Sequence, residues 1–100
     1  MNHENYLVMI NAEPAIEEAM VDYLLSLENS QGFTSFPIYA HDHQQNLSIL
    51  EQVVGRKRHI QFQMYVHKNK VSQLITGLKA DFTGSGVNYW VLPVIEHGAI

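Results

Sequence analysis

The clearest pattern in the chain is the alternation of Ile60, Phe62, Met64 and Val66 with Gln61, Gln63 and Tyr65. A period of two over that length predicts a strand with one buried face. Tyr6 to Asn11 is a short apolar run and reads as a strand buried on both faces. Pro14 then suits a first helical turn, which needs no amide hydrogen there. Ile16, Met20, Tyr23, Leu24 and Leu27 follow at helical spacing, with Glu17, Glu18 and Asp22 directed away. Glu28 to Gly32 ends this helix with turn chemistry. Phe33 to Ala40 reads as a second strand, and Pro37 places it at a sheet edge because proline cannot donate to a ladder. After the alternating strand, Asn69 is a suitable N-cap for a second helix with an apolar face of Val71, Leu74, Ile75 and Leu78. Thr83-Gly84-Ser85-Gly86 predicts a turn, and Val87 to Ile95 a last strand.

The order is β-α-β-(long connection)-β-α-β. It predicts a single α+β domain over residues 1–100, a ferredoxin-like sandwich. Two helices would cover one face of a four-stranded antiparallel sheet. On the last strand Val87, Tyr89, Val91 and Ile95 point one way, and Trp90, Leu92 and Val94 the other. An antiparallel strand with one solvated face should be polar on that face. Two apolar faces imply that the open side of the sheet is covered. A symmetric oligomer would do it, and so would the tail or the long connection folding back.

That connection, His41 to Arg58, is the anomaly. Antiparallel neighbours are usually joined by about two to five residues, and loops beyond about 12–15 usually carry function or are disordered. Leu47, Leu50 and Val54 stand at helical spacing inside it and could dock on a partner groove. Alternatively, residues 49–54 extend the next strand backward as a hairpin arm.

Charge sharpens the picture. Net charge is −4, yet all six Lys and Arg lie between Arg56 and Lys79, while residues 1–55 hold eight acids. Arg56, Lys57 and Arg58 are consecutive, at the base of the long connection. They read as a patch for a small anion or an acidic partner, or as a solvated strand end. The acidic first half argues against nucleic acid. Cys is absent, which removes disulfides, thiolate metal sites and cysteine nucleophiles. No apolar run reaches the roughly 20 residues that cross a bilayer. Neither a secretory signal nor membrane insertion is expected, and the cytoplasm is the expected compartment.

His41-Asp42-His43 is the metal candidate. In an extended segment both imidazoles project to one side. Zinc takes about four ligands, so a partner subunit or His97 would have to complete the set. His59 and His67 fall on the polar face of their strand and are expected to face solvent. Gly84 and Gly86 could present backbone amides to an anion, or simply make the turn. No recognisable Ser-His-acid set is present, and an enzyme is not expected.

The stretch Glu51-Gln52-Val53-Val54-Gly55-Arg56-Lys57-Arg58-His59-Ile60-Gln61-Phe62 and the end Tyr89-Trp90-Val91-Leu92-Pro93-Val94-Ile95-Glu96-His97-Gly98 resemble a bacterial branch of the nitrogen-regulatory PII-like superfamily, of unassigned function. The resemblance covers nearly the whole chain in topology. It implies a trimeric signal-transduction protein whose 41–58 segment corresponds to the family's T-loop. It also implies a small ligand bound at the subunit cleft or loop base, and a target that is a regulatory protein or membrane transporter. ATP or ADP is not expected. The family's phosphate-pairing cations have no counterparts here, where Val87, Val94 and Glu96 stand, and residues 41–58 hold no tyrosine to modify. The cofactor is otherwise unspecified. The alternative is a divalent-metal-binding or metal-tolerance protein, since the chain also resembles the CutA proteins and a related branch is linked to heavy-metal efflux.

Overall fold

The computed structural model describes residues 4–27, 32–41 and 57–100. Of the positions singled out above, Asp42, His43, Leu47, Leu50, Val54 and Arg56 lie outside the described residues, and so does the 49–54 strand extension. The elements are β1 (Asn5–Ala12), a 3₁₀ turn (Pro14–Ile16), α1 (Glu17–Ser26), β2 (Thr34–Ala40), β3 (Lys57–His67), α2 (Lys68–Phe82) and β4 (Asn88–Pro93). The sheet order is β2-β3-β1-β4, antiparallel throughout. This is the expected ferredoxin-like sandwich. Pro37 sits on an edge strand, as a residue without an N–H must.

The core follows from strand alternation. Val8, Ile10 and Ala12 of β1 and Ile60, Phe62, Met64 and Val66 of β3 are buried together with Met20, Leu24, Leu74 and Leu78 from the helices. Ile10 pairs with Phe62 and Val8 with Met64, so the two central strands present one continuous apolar layer to both helices. Two expectations change. β1 is not buried on both faces, since Leu7 and Met9 are only partly covered. The helices pack on one side only, and alternate residues must face the other. The N-cap of α2 is His67, not Asn69. The imidazole Nδ1 accepts the backbone N–H of Asn69 at 3.2 Å. The chain thus passes from β3 into α2 without a connecting loop, and one orphan amide of the first turn is satisfied.

The two helices approach at Gly77. A Cβ there would fall 2.0 Å from the Tyr23 hydroxyl oxygen. That hydroxyl donates to the Leu74 carbonyl at 3.2 Å, and the Tyr23 ring meets Phe82 edge to face, with centroids 5.8 Å apart. Burial raises the Tyr23 pKa above its ordinary value, and Asp81 adds to the shift, so the hydroxyl keeps its proton and remains a donor. Gly77→Ala should destabilise by about 1–2 kcal/mol. Overpacking costs about 1–3 kcal/mol, and the better helix propensity of alanine returns part of it. In a Tyr23→Leu background the same change should be neutral or stabilising, a contrast that urea denaturation of the four proteins reads directly.

Candidate functional site

The face of the sheet away from the helices is where the chain places its unexplained residues. Strand parity puts Leu7, Met9 and Asn11 of β1 there, with Gln61, Gln63 and Tyr65 of β3 and Trp90 and Leu92 of β4. Leu7 lies between Leu92 and Tyr65, and Met9 between Trp90 and Gln63. Trp90 is 48% exposed and Leu92 44%. Their flank of the sheet is an apolar patch that α1 and α2, on the opposite side, cannot reach. The tail reaches the Tyr65 side of this face and leaves Trp90 and Leu92 about half exposed. Val94 N–H bonds the Asn5 carbonyl at 3.1 Å, and the His97 ring lies 4.7 Å from that of Tyr65, centroid to centroid.

Beside this patch runs a polar ladder. Gln63 Nε2 donates to Gln61 Oε1, and Gln61 Nε2 donates to Asn11 Oδ1, each at 2.9 Å. Half-buried amides that bond one another leave fewer polar atoms in need of water, so such a face can be covered at lower cost.

The ladder leads to the base of the long connection. Lys57 is the first residue of β3, and its Nζ donates to Glu13 Oε1 at 2.9 Å. Glu13 follows β1 directly. One step beyond the Ala12–Ile60 pair, it stands abreast of His59. The buried Nε2 of His59 has no hydrogen-bond partner among the described residues. On its other side Glu13 meets the turn before β4. Gly86 has φ +81, and a Cβ on it would lie 3.6 Å from Glu13 Oε1. Gly84, at φ +79, is the second residue of this turn in the left-handed region, and Ser85 N–H closes it on the Phe82 carbonyl at 3.2 Å.

The residues read from sequence are thus distributed unevenly. Lys57 and Gly86 come together around Glu13. Arg58 is exposed and pairs across β2 with Tyr39, on the helix side of the sheet by alternation. His41 is exposed just past Ala40, which pairs with Lys57. His97 lies by Tyr65, eight residues along β3 from Lys57, or about 26 Å at roughly 3.3 Å per residue. His41 and His97 of one chain therefore do not share a site. Among the described residues no group of three or more His, Asp and Glu is placed to hold a metal ion. His59 does not simply face solvent, since its Nε2 is buried, whereas His67 is exposed as expected and also caps α2. Glu13 was not legible as a site residue. It stands 44 positions from Lys57, and only the β1–β3 register joins them.

The model of a family described as a protein of unknown function, DUF3240, matches residues 2–100. The chain belongs to the DUF3240 family. A crystal structure of a DUF3240 protein from Shewanella baltica OS155 is similar over 100% of this chain and 99% of that one, at 24% identity and a TM-score of 0.76. CPII, a nitrogen-regulatory PII-like protein of Thiomonas intermedia K12 solved with ADP, AMP and bicarbonate, is 19% identical, covers 98% of each chain and has a TM-score of 0.70. The PII protein of Arabidopsis thaliana, solved with citrate, is 18% identical over 93% of this chain and 79% of that one, with a TM-score of 0.68. The chain therefore has the PII-like fold. No curated protein matches it. No helix among the described residues is long and apolar enough to cross a membrane.

Proposed function

We propose that the chain is a PII-like, non-catalytic regulatory protein that works as a trimer. Three copies would bury the open sheet faces around Trp90 and Leu92. A small ligand at the base of residues 41–58, in or near the cleft between subunits, would govern whether that segment engages a target protein, with Leu47 and Leu50 as its apolar contacts. The observation that carries this reading is the half-exposed apolar patch on a PII-like fold. Patches of that kind on a small domain mark association surfaces. The Glu13–Lys57 pair supports the second half, because it ties Lys57, at the base of that segment where β3 begins, to the end of β1.

The fold likeness by itself names no ligand. CPII was solved with ADP and AMP, but this chain has Val87, Val94 and Glu96 where the family places phosphate-pairing cations. ADP is accordingly expected to leave the melting temperature unchanged. Sedimentation equilibrium should give three times the chain mass of 11.4 kDa. A monomer at tens of micromolar would overturn the trimeric reading.

A further inference from the structure

We propose that the wedge between the end of α2 and the start of β4 is a small-molecule site of its own. Its ligand is a compact amphipathic acid, with an aromatic or alkyl body and a carboxylate at one end. This goes beyond the regulatory reading above and stands whether or not the chains associate.

The wedge follows from how the layers lie. β4 is an edge strand, and α2 packs over β1 and β3. The apolar layer is therefore left open between the helix end and the strand, around a cavity of about 230 Å³. Leu78 and Phe82 of α2 line one side, and Val87 and Tyr89 the other. Tyr89 pairs with the buried Ile10, so the cavity is on the helix side of the sheet. Trp90 and Leu92 lie on the opposite side, as does Lys57 by alternation. The walls are held in place, since Leu78 is buried and the Phe82 ring meets Tyr23 edge to face. An apolar cavity of about 150 Å³ accepts benzene. This one has room for a ring with a short arm, and is smaller than the pockets that take drug-sized ligands.

The mouth of the wedge is polar at one end. Thr83 and Gly84 border it, and a Cβ on Gly84 would meet nothing within 4 Å, so the space beside it is open. The turn spends its own polar groups on closing the helix. The Thr83 hydroxyl donates to the Lys79 carbonyl, and Ser85 N–H to the Phe82 carbonyl at 3.2 Å. The charge left to a ligand is that of Lys79, which lines the wedge, is exposed, and has no carboxylate partner among the described residues. A cation beside an apolar floor favours an occupant that is apolar at one end and anionic at the other.

The test is an NMR titration of the intact chain with phenylpropionate at constant ionic strength. Phenylpropylammonium carries the same body with the opposite charge, and acetate the carboxylate without the body. At the efficiency usual for ordinary ligands, phenylpropionate should bind with a Kd of about 1–10 mM. Shifts should gather on the Leu78 and Val87 methyls and the Tyr89 ring. Lys79 is exposed, so Lys79→Glu leaves the fold intact. It should weaken phenylpropionate at least about fivefold and favour phenylpropylammonium instead. Equal binding of the two charged probes by wild type, unchanged affinity in Lys79→Glu, or shifts reproduced by acetate would each overturn the proposal. Shifts centred on Trp90 and Leu92 would do so too, by moving the ligand to the open face. No shift at about 50 mM, well above the expected Kd, would remove the site and leave the trimer, which is read by mass, standing.

Discussion

Phe62→Ala should lower the stability of the fold by about 3–5 kcal/mol. Phe62 is 1% exposed at the middle of β3, paired with Ile10 and covered by the helices. Its ring also meets Phe33 edge to face, with centroids 6.0 Å apart, a contact worth about 0.5–1.5 kcal/mol beyond area. The loss has two parts. The removed ring atoms forfeit their transfer free energy, and the space they leave cannot close, because β3 is held on both sides by β1 and β2. A domain of this size is stable by about 5–15 kcal/mol in all, so the change consumes about a fifth or more of the margin. At about 4–8 °C per kcal/mol, the melting temperature should fall by roughly 12–40 °C, measured at one fixed protein concentration. Gln61→Ala on the next residue, facing the other way, should cost under about 1 kcal/mol and serves as the internal comparison. Equal losses at both positions would contradict the assignment of faces.

Faces and elements were legible because their signals are local. The period of two from Ile60 to Val66 is a property of adjacent residues, and β3 spans Lys57–His67 accordingly. The spacing of Leu74 and Leu78 located the buried face of α2 in the same way. The last strand showed two apolar faces in sequence, and in the structure Trp90 and Leu92 do face away from the core. β1 was misread for a physical reason. A run such as Tyr6-Leu7-Val8-Met9-Ile10 has no polar residue to mark a face, so one-sided and two-sided burial look alike until the helices are placed. The site at the base of the long connection was half legible. A basic cluster drew attention to Lys57, but nothing local marks Glu13 or His59. Their proximity comes from the register in which Ala12 meets Ile60, a long-range pairing that no window of sequence contains. The return of the tail to Tyr65 was hidden for the same reason, and with it the distance that separates His97 from His41.

Trp90→Glu should dissociate the protein while leaving each chain folded. Trp90 lies beside Met9 on the open face and near Leu92, on the side of the sheet away from α1 and α2. If three copies bury this patch, the substitution places an unpaired carboxylate in a desolvated contact and removes the aromatic anchor. Losses of that kind at an interface centre run to about 2–4 kcal/mol, roughly 30- to 1,000-fold in affinity. Within one chain the side chain is already half in water, so its replacement should change monomer stability by no more than about 1 kcal/mol. The companion variant is Leu25→Glu. Leu25 is 67% exposed on α1, more open than Trp90, but it belongs to the helical layer. Exposure alone would make the two substitutions equivalent. Association through the sheet face makes them opposite: sedimentation velocity should find monomer for Trp90→Glu and wild-type mass for Leu25→Glu. An unchanged mass in Trp90→Glu, or dissociation by Leu25→Glu, would move the interface off the sheet. The regulatory reading would then lose its principal support, because a ligand at Lys57 could no longer be placed beside a neighbouring subunit.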